Sequence, residues 1–208
     1  MLLLTFLLGG IRIYRSITVE ERFMEIKKYN EKYREDVQHV CKMTGPGECM
    51  TDEKIAAYIV NTYCNYYIDN ESENCFVLTD DEDIARGYII CCSDFKKFRK
   101  GFKKYLPVIK ANAGKNILEV YGEYLGTMLF SRSYPAHMHI DINYEFTGKG
   151  NGTRLLNELI THLKSKNVKG LMLIVGEGNQ EAISFYNKNG FHTLLKAFGA
   201  RIMGMKLS

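Results

Sequence analysis

At 208 residues, with 46% apolar and 25% charged residues, the chain is long enough to bury a real core as one domain or one domain with an elaboration, and its composition is ordinary for a soluble globular protein. A net charge of +4 suits an anionic cofactor and falls short of the basicity of a nucleic-acid-binding domain, so no nucleic-acid partner is expected. The six cysteines form no C-x-x-C pair, and Cys91 and Cys92 sit in an apolar run where alternate side chains point apart, so buried reduced thiols are expected rather than zinc or disulfides. A reducing compartment follows, taken as cytoplasmic.

Met1–Leu8 is apolar but far shorter than the ~18 residues of a membrane span, and it lacks the basic leader and small-residue cleavage site of a signal peptide. Residues 1–23 are therefore expected to lie outside the fold or to reflect a start codon placed too early, with membrane association as the alternative. The fold is expected over 24–208. Met24–Tyr29 reads as a first strand, and Glu31–Lys42 as a helix with Tyr33, Val37, Val40 and Cys41 at helical spacing, broken by Gly45-Pro46-Gly47. Thr51 is expected to cap a second helix whose apolar stripe runs from Ile55 to Tyr67. Cys75–Thr79 and Arg86–Cys91, joined by the acidic turn Asp80–Asp83, read as a hairpin.

Residues 94–135 form a less orderly stretch. Phe95, Phe98, Phe102 and Tyr105 recur every three or four residues among Lys96, Lys97, Arg99, Lys100, Lys103 and Lys104. That spacing predicts a helix with a buried aromatic face and a solvated basic face, a nucleic-acid patch being the weaker alternative. After Pro135 an alternating strand points Met138, Ile140 and Ile142 one way and His137, His139, Asp141 and Asn143 the other. A helix with a Leu155–Leu163 stripe, a fully apolar strand Leu171–Val175 and a helix Ala182–Asn189 stopped by Gly190 follow. Phe191–Leu195 and Ile202–Leu207 close the pattern.

Between that alternating strand and the following helix lies Thr147-Gly148-Lys149-Gly150-Asn151-Gly152. Glycines at alternate positions let the backbone turn tightly and present N–H groups to an anion, and the helix adds the positive end of its dipole. A second block runs from Asn179 through Ala182, Phe185, Tyr186 and Gly190 to Phe191. Together the two resemble the signature blocks of the GNAT acyl-CoA N-acetyltransferase superfamily, Q/R-x-x-G-x-G/A and N-x-x-A-x-x-F-Y-x-x-x-G-F. Thr147 departs from the usual Gln or Arg, which leaves the glycine backbone as the expected donor set. The run Pro135-Ala136-His137-Met138-His139-Ile140-Asp141 looks like the acetyltransferase-like branch related to the C-terminal domain of O-GlcNAcase and its bacterial relatives. The fold class implied is an α/β GNAT fold, a mixed and mostly antiparallel sheet flanked by helices.

The resemblance implies acetyl-CoA as co-substrate. Thr147, Gly148, Lys149, Gly150, Asn151, Gly152 and Thr153 would hold its pyrophosphate. Backbone groups around Ile142 and Tyr144 would meet the pantetheine arm and acetyl carbonyl, and Asn179 would touch that arm. Tyr186, a phenol protonated at neutral pH, suits donation to a departing thiolate, although packing beside Phe185 would equally explain it. His139 and Asp141 share a strand face with His137 and are the catalytic candidates on the amine side; metal ligation and structural hydrogen bonding are the alternatives, and Glu145 is a further candidate base. No metal is expected. The activity implied is N-acetylation of a small-molecule or peptide amine by direct attack in a ternary complex, with residues 94–135, an insertion relative to most family members, selecting the acceptor and a homodimer a common family arrangement. A non-catalytic recognition module on the same fold and a metal-dependent hydrolase are the rival readings.

Overall fold

The computed structural model describes residues 23–207. The expected extension at 1–23 thus falls, apart from Phe23, outside the described residues. Strand β1 (Glu25–Lys28) leads through a short 3-10 turn into α1 (Arg34–Thr44), which ends where Gly45-Pro46-Gly47 predicts. Helix α2 (Glu53–Tyr63) is capped by Asp52 rather than Thr51: the Asp52 carboxylate accepts from the amides of Lys54 and Ile55, while the Thr51 hydroxyl turns back to the Glu48 carbonyl. The expected second helix breaks at Cys64 and resumes as α3 (Asn65–Asn70). Strands β2 (Phe76–Thr79) and β3 (Ala85–Cys92) form the predicted antiparallel hairpin.

Residues 94–135 hold three helices, where the aromatic spacing predicts one: α4 (Phe95–Gly101), α5 (Leu106–Asn112) and α6 (Ile117–Phe130). Asp94 caps α4, Pro107 stands in the first turn of α5, and Gly114 at φ +53° separates α5 from α6. The amphipathic reading survives the division, because Phe95, Phe98, Phe102 and Tyr105 are buried and the six interleaved basic residues are exposed. Then come β4 (Ala136–Ile142), α7 (Asn151–Ser165), β5 (Gly170–Gly176), α8 (Gln180–Lys188), β6 (His192–Ala197) and β7 (Ala200–Lys206).

The strands form one mixed seven-stranded sheet in the order β1-β2-β3-β4-β5-β7-β6, antiparallel except where β4 lies beside β5. Helices α7 and α8 cover one face over a core built on Leu155, Leu156, Leu159 and Leu163. Helices α1 to α6 cover the other with a core rich in aromatics, including Tyr66, Tyr67, Phe98 and Phe102. Cys91 belongs to the first core and Cys92 to the second, as alternation along a strand requires, and all six cysteines are free and buried. No helix among the described residues is long and apolar enough to cross a membrane.

One irregularity positions everything that follows. Strand β4 pairs with β3 from Cys92↔His137 to Gly87↔Ile142, and β5 pairs with β7 along its whole length. Between them, β4 and β5 pair only at Ala136↔Leu171 and His137↔Met172. Beyond those two rungs the sheet divides into a V, and the facing edges of β4 and β5 have no strand partner among the described residues.

Candidate active site

The glycine-rich segment enters α7 at the open end of this V. Gly148 and Gly150 adopt φ +72° and +79°, the left-handed region where a Cβ is strained, and these conformations turn the chain from the end of β4 into the helix. From Gly148 to Thr153 no backbone N–H donates to an acceptor among the described residues. These are the unfilled donors of the loop and of the first turn of a 15-residue helix. Side chains stabilise the loop from within: the Thr147 hydroxyl donates to the Tyr144 carbonyl at 2.8 Å, and buried Asn151 donates to the Phe146 carbonyl at 3.0 Å. Thr147 and Asn151 thus shape the loop with their side chains and can offer a ligand only backbone. Lys149 is exposed at the tip, and Tyr144, 66% exposed, stands beside it.

The two sequence blocks touch. A Cβ on Gly152 would lie 3.3 Å from two ring carbons of Phe185 and 3.8 Å from Ile142 Cδ1, so the start of α7 sits directly against α8 and the end of β4. Asn179 accepts from the Ala182 amide at 3.0 Å and caps α8. At the other end Gly190 at φ +89° closes the helix, with Gly190 N–H to Asn187 carbonyl at 3.1 Å and Phe191 N–H to Tyr186 carbonyl at 3.0 Å. Phe191 and Tyr186 rings then pack 5.7 Å apart. Each fixed residue of the second block therefore caps this helix, ends it or packs it.

Tyr186, His139, Asp141 and Asn179 line one cleft in the V, together with Tyr63 and Ile174. The Tyr186 side chain is 9% exposed and its hydroxyl has no hydrogen-bond partner among the described residues. Burial, with the nearby Asp141 charge second, pushes its phenol above the ordinary range, so it stays protonated. His139 bonds to the Tyr67 hydroxyl at 3.0 Å, and burial lowers it to about 4. Asp141 accepts from the Tyr88 hydroxyl, and burial raises its carboxyl. His137 points the same way but lies deeper, among Tyr67, Phe95 and Phe98. The three do not converge, and among the described residues no three His, Cys, Asp or Glu side chains are placed to hold one metal ion. Glu145 is exposed on the turn after β4, away from this wall.

The acetyltransferase (GNAT) family model matches residues 48–191, from the turn before α2 to the end of the second block. The chain belongs to the GNAT acetyltransferase family. Solved structures share the fold at low identity. SsHAT is 23% identical over 89% of this chain and 98% of its own, with a TM-score of 0.77. PH1933 from Pyrococcus horikoshii OT3 is 21% identical over 88% and 98%, with a TM-score of 0.61. PaiA N-acetyltransferase from Thermoplasma acidophilum, in complex with coenzyme A, is 18% identical over 88% and 99%, with a TM-score of 0.57.

In this GNAT chain the structure adds an acidic residue that the pattern of α6 hides. Glu123 faces inward from α6, beneath α2, and the Tyr63 hydroxyl donates to it at 3.4 Å. Burial, then the neighbouring Glu119 charge, raises its carboxyl to about 8. A signal was present: Glu119 and Glu123 stand four apart in an otherwise uncharged helix, a like-charge spacing that disfavours an isolated helix.

Proposed function

We propose that this GNAT protein is an acetyl-CoA-dependent N-acetyltransferase that transfers the acetyl group to a primary amine by direct attack in a ternary complex. The observation that carries this reading is the run of unengaged amides from Gly148 to Thr153 at the open end of the V. A diphosphate matches those donors in charge and geometry. An extended arm bearing amide groups matches the free strand edges of β4 and β5, as an added strand would. Ile142 and Tyr144 would meet the arm as it leaves the loop, and Asn179, which lines the cleft, would contact it further along. Bound there, acetyl-CoA supplies a thioester whose carbonyl carbon accepts an amine and whose sulfur can leave.

Tyr186 holds its proton through the neutral range and donates to the sulfur as negative charge develops there. His139, kept neutral by burial, relays the proton lost by the ammonium through water, and Asp141 holds the polar wall with Tyr88. The neutral amine forms the C–N bond as the C–S bond breaks; one proton has gone to solvent beforehand, and as Tyr186 gives its proton to the sulfur the second passes from nitrogen, through water, back to the Tyr186 oxygen. Within the family we place the chain, on its Pro135–Asp141 run, beside the acetyltransferase-like branch related to O-GlcNAcase. Its six free thiols support a reducing, cytoplasmic setting.

Isothermal titration with acetyl-CoA, paired with thiol release over an amine panel, tests the reading. Saturable binding with thiol release supports it. No binding at millimolar acetyl-CoA removes the transferase assignment, and binding without release from any amine reassigns the chain to a non-catalytic recognition module.

A further inference from the structure

Three hollows meet at Ile174. One is the cleft of Tyr186; the second is a cavity of about 100 Å³ beneath α2 and α6; the third is an open groove of about 870 Å³ between α6 and the β6–β7 turn. Glu123 stands in the wall of both the cavity and the groove, while Tyr63 and His139 connect the cavity to the cleft.

The walls differ in chemistry. The groove is lined by Leu118, Leu125, Leu129 and Phe198, exposed by 76%, 55%, 65% and 103%. Among the described residues its only charged lining residues are Glu119 and Glu123, and neither Lys nor Arg lines the groove or the cavity. In the cavity wall, His137 is 6% exposed, and neither ring nitrogen has a hydrogen-bond partner among the described residues. Such a group is expensive to leave unpaired unless something else occupies its lone pair. An ammonium would favour the ionised form of the Glu123 carboxyl and could donate both to it and to the acceptor nitrogen of the neutral His137 imidazole.

We propose that the acceptor is a primary monoamine on an apolar or aromatic body, its ammonium held by Glu123 beside His137 and its body lying along α6 against the β6–β7 turn. This rests on the N-acetyltransferase reading and gives it a substrate class. A peptide would bring backbone amides into a groove lined by no Asn, Gln, Ser or Thr, leaving them unpaired. A polyamine such as spermidine would have only Glu119 for a second charge and would lay its third along Leu125, Leu129 and Phe198.

The full-length chain, its Glu123→Gln variant and its Leu125→Gln variant should be compared with 2-phenylethylamine, its neutral isostere 2-phenylethanol, spermidine and an apolar tripeptide. Ligand-observed NMR gives binding, and thiol release with acetyl-CoA gives KM. Glu123→Gln is expected to weaken 2-phenylethylamine in both Kd and KM by about tenfold, as loss of a charged hydrogen bond implies, while 2-phenylethanol and acetyl-CoA affinities hold. Leu125→Gln is expected to weaken the amine and the alcohol alike. An amine Kd unchanged in Glu123→Gln, or a higher kcat/KM for spermidine or the tripeptide, overturns the proposal. Absence of acetyl-CoA binding in the parent chain instead overturns the transferase reading, and the NMR comparison then still decides the role of Glu123.

Discussion

A largely buried phenol whose hydroxyl opens on a cleft is placed to donate to whatever enters it. Tyr186 is such a residue, with Phe185 and Phe191 packed on either side at 5.2 and 5.7 Å. Its hydroxyl faces the cleft, where a developing thiolate would supply the missing acceptor. Tyr186→Phe keeps the packing and deletes only the donor. Turnover is therefore expected to fall by about 100-fold, within the range for loss of a general acid, with acetyl-CoA affinity nearly unchanged. Single-turnover kinetics beside calorimetry would check this, and unchanged turnover would take Tyr186 out of the mechanism. Glu123, by contrast, showed in the sequence only as the like-charge partner of Glu119, with no sign of its role. Its standing depends on α6 lying over the split in the sheet, and nothing local to one glutamate encodes that.

At the scale of elements, the strands and the two signature blocks were legible because their signals are local. Alternation fixed β4, a continuous apolar run fixed β5, and Asn179 and Gly190 mark the two ends of α8 by their capping chemistry. The insertion was legible only in part. The spacing of Phe95, Phe98, Phe102 and Tyr105 correctly gives one buried aromatic face, yet a 3-10 turn carries the same period across the boundary between α4 and α5. Helix α6 carries no amphipathic signal, because it leaves Leu118, Leu125 and Leu129 in the open. What no single block reveals is their contact, Gly152 against Phe185. Gly152→Val would drive its branch into the ring and is expected to cost about 1–3 kcal/mol, as overpacking does, and to displace the amides at the head of α7. Denaturant unfolding would show the first effect and weaker acetyl-CoA binding the second; full affinity in the variant would contradict the role given to the loop.

For the whole molecule, the buried titratable groups set opposite pH trends. His137 and His139 lie at about 3 and about 4 against an ordinary 6.5, so unfolding lets both take up protons below pH 6.5. Each then removes about 1.4 kcal/mol of stability per pH unit of acidification. Glu123, at about 8 against 4.5, keeps a proton that the unfolded chain has released, and stability falls as pH rises between those values. Asp141, raised by burial, offsets part of the acid-side loss. The unfolding midpoint is expected to peak near pH 6.5, and Glu123→Gln to flatten the decline toward pH 8. A parent chain whose midpoint climbs steadily from pH 6.5 to 8 would refute this balance.

The two rungs joining β4 to β5 also make the sheet a pair of leaves on a narrow spine. By strand order the amides of Met138 to Asp141 are central, yet half of them face a gap, as they would at a border. Solvent thus reaches the middle of the molecule along its own backbone. An occupant that fills the gap would bind the leaves together, so ligand and fold draw on one set of hydrogen bonds.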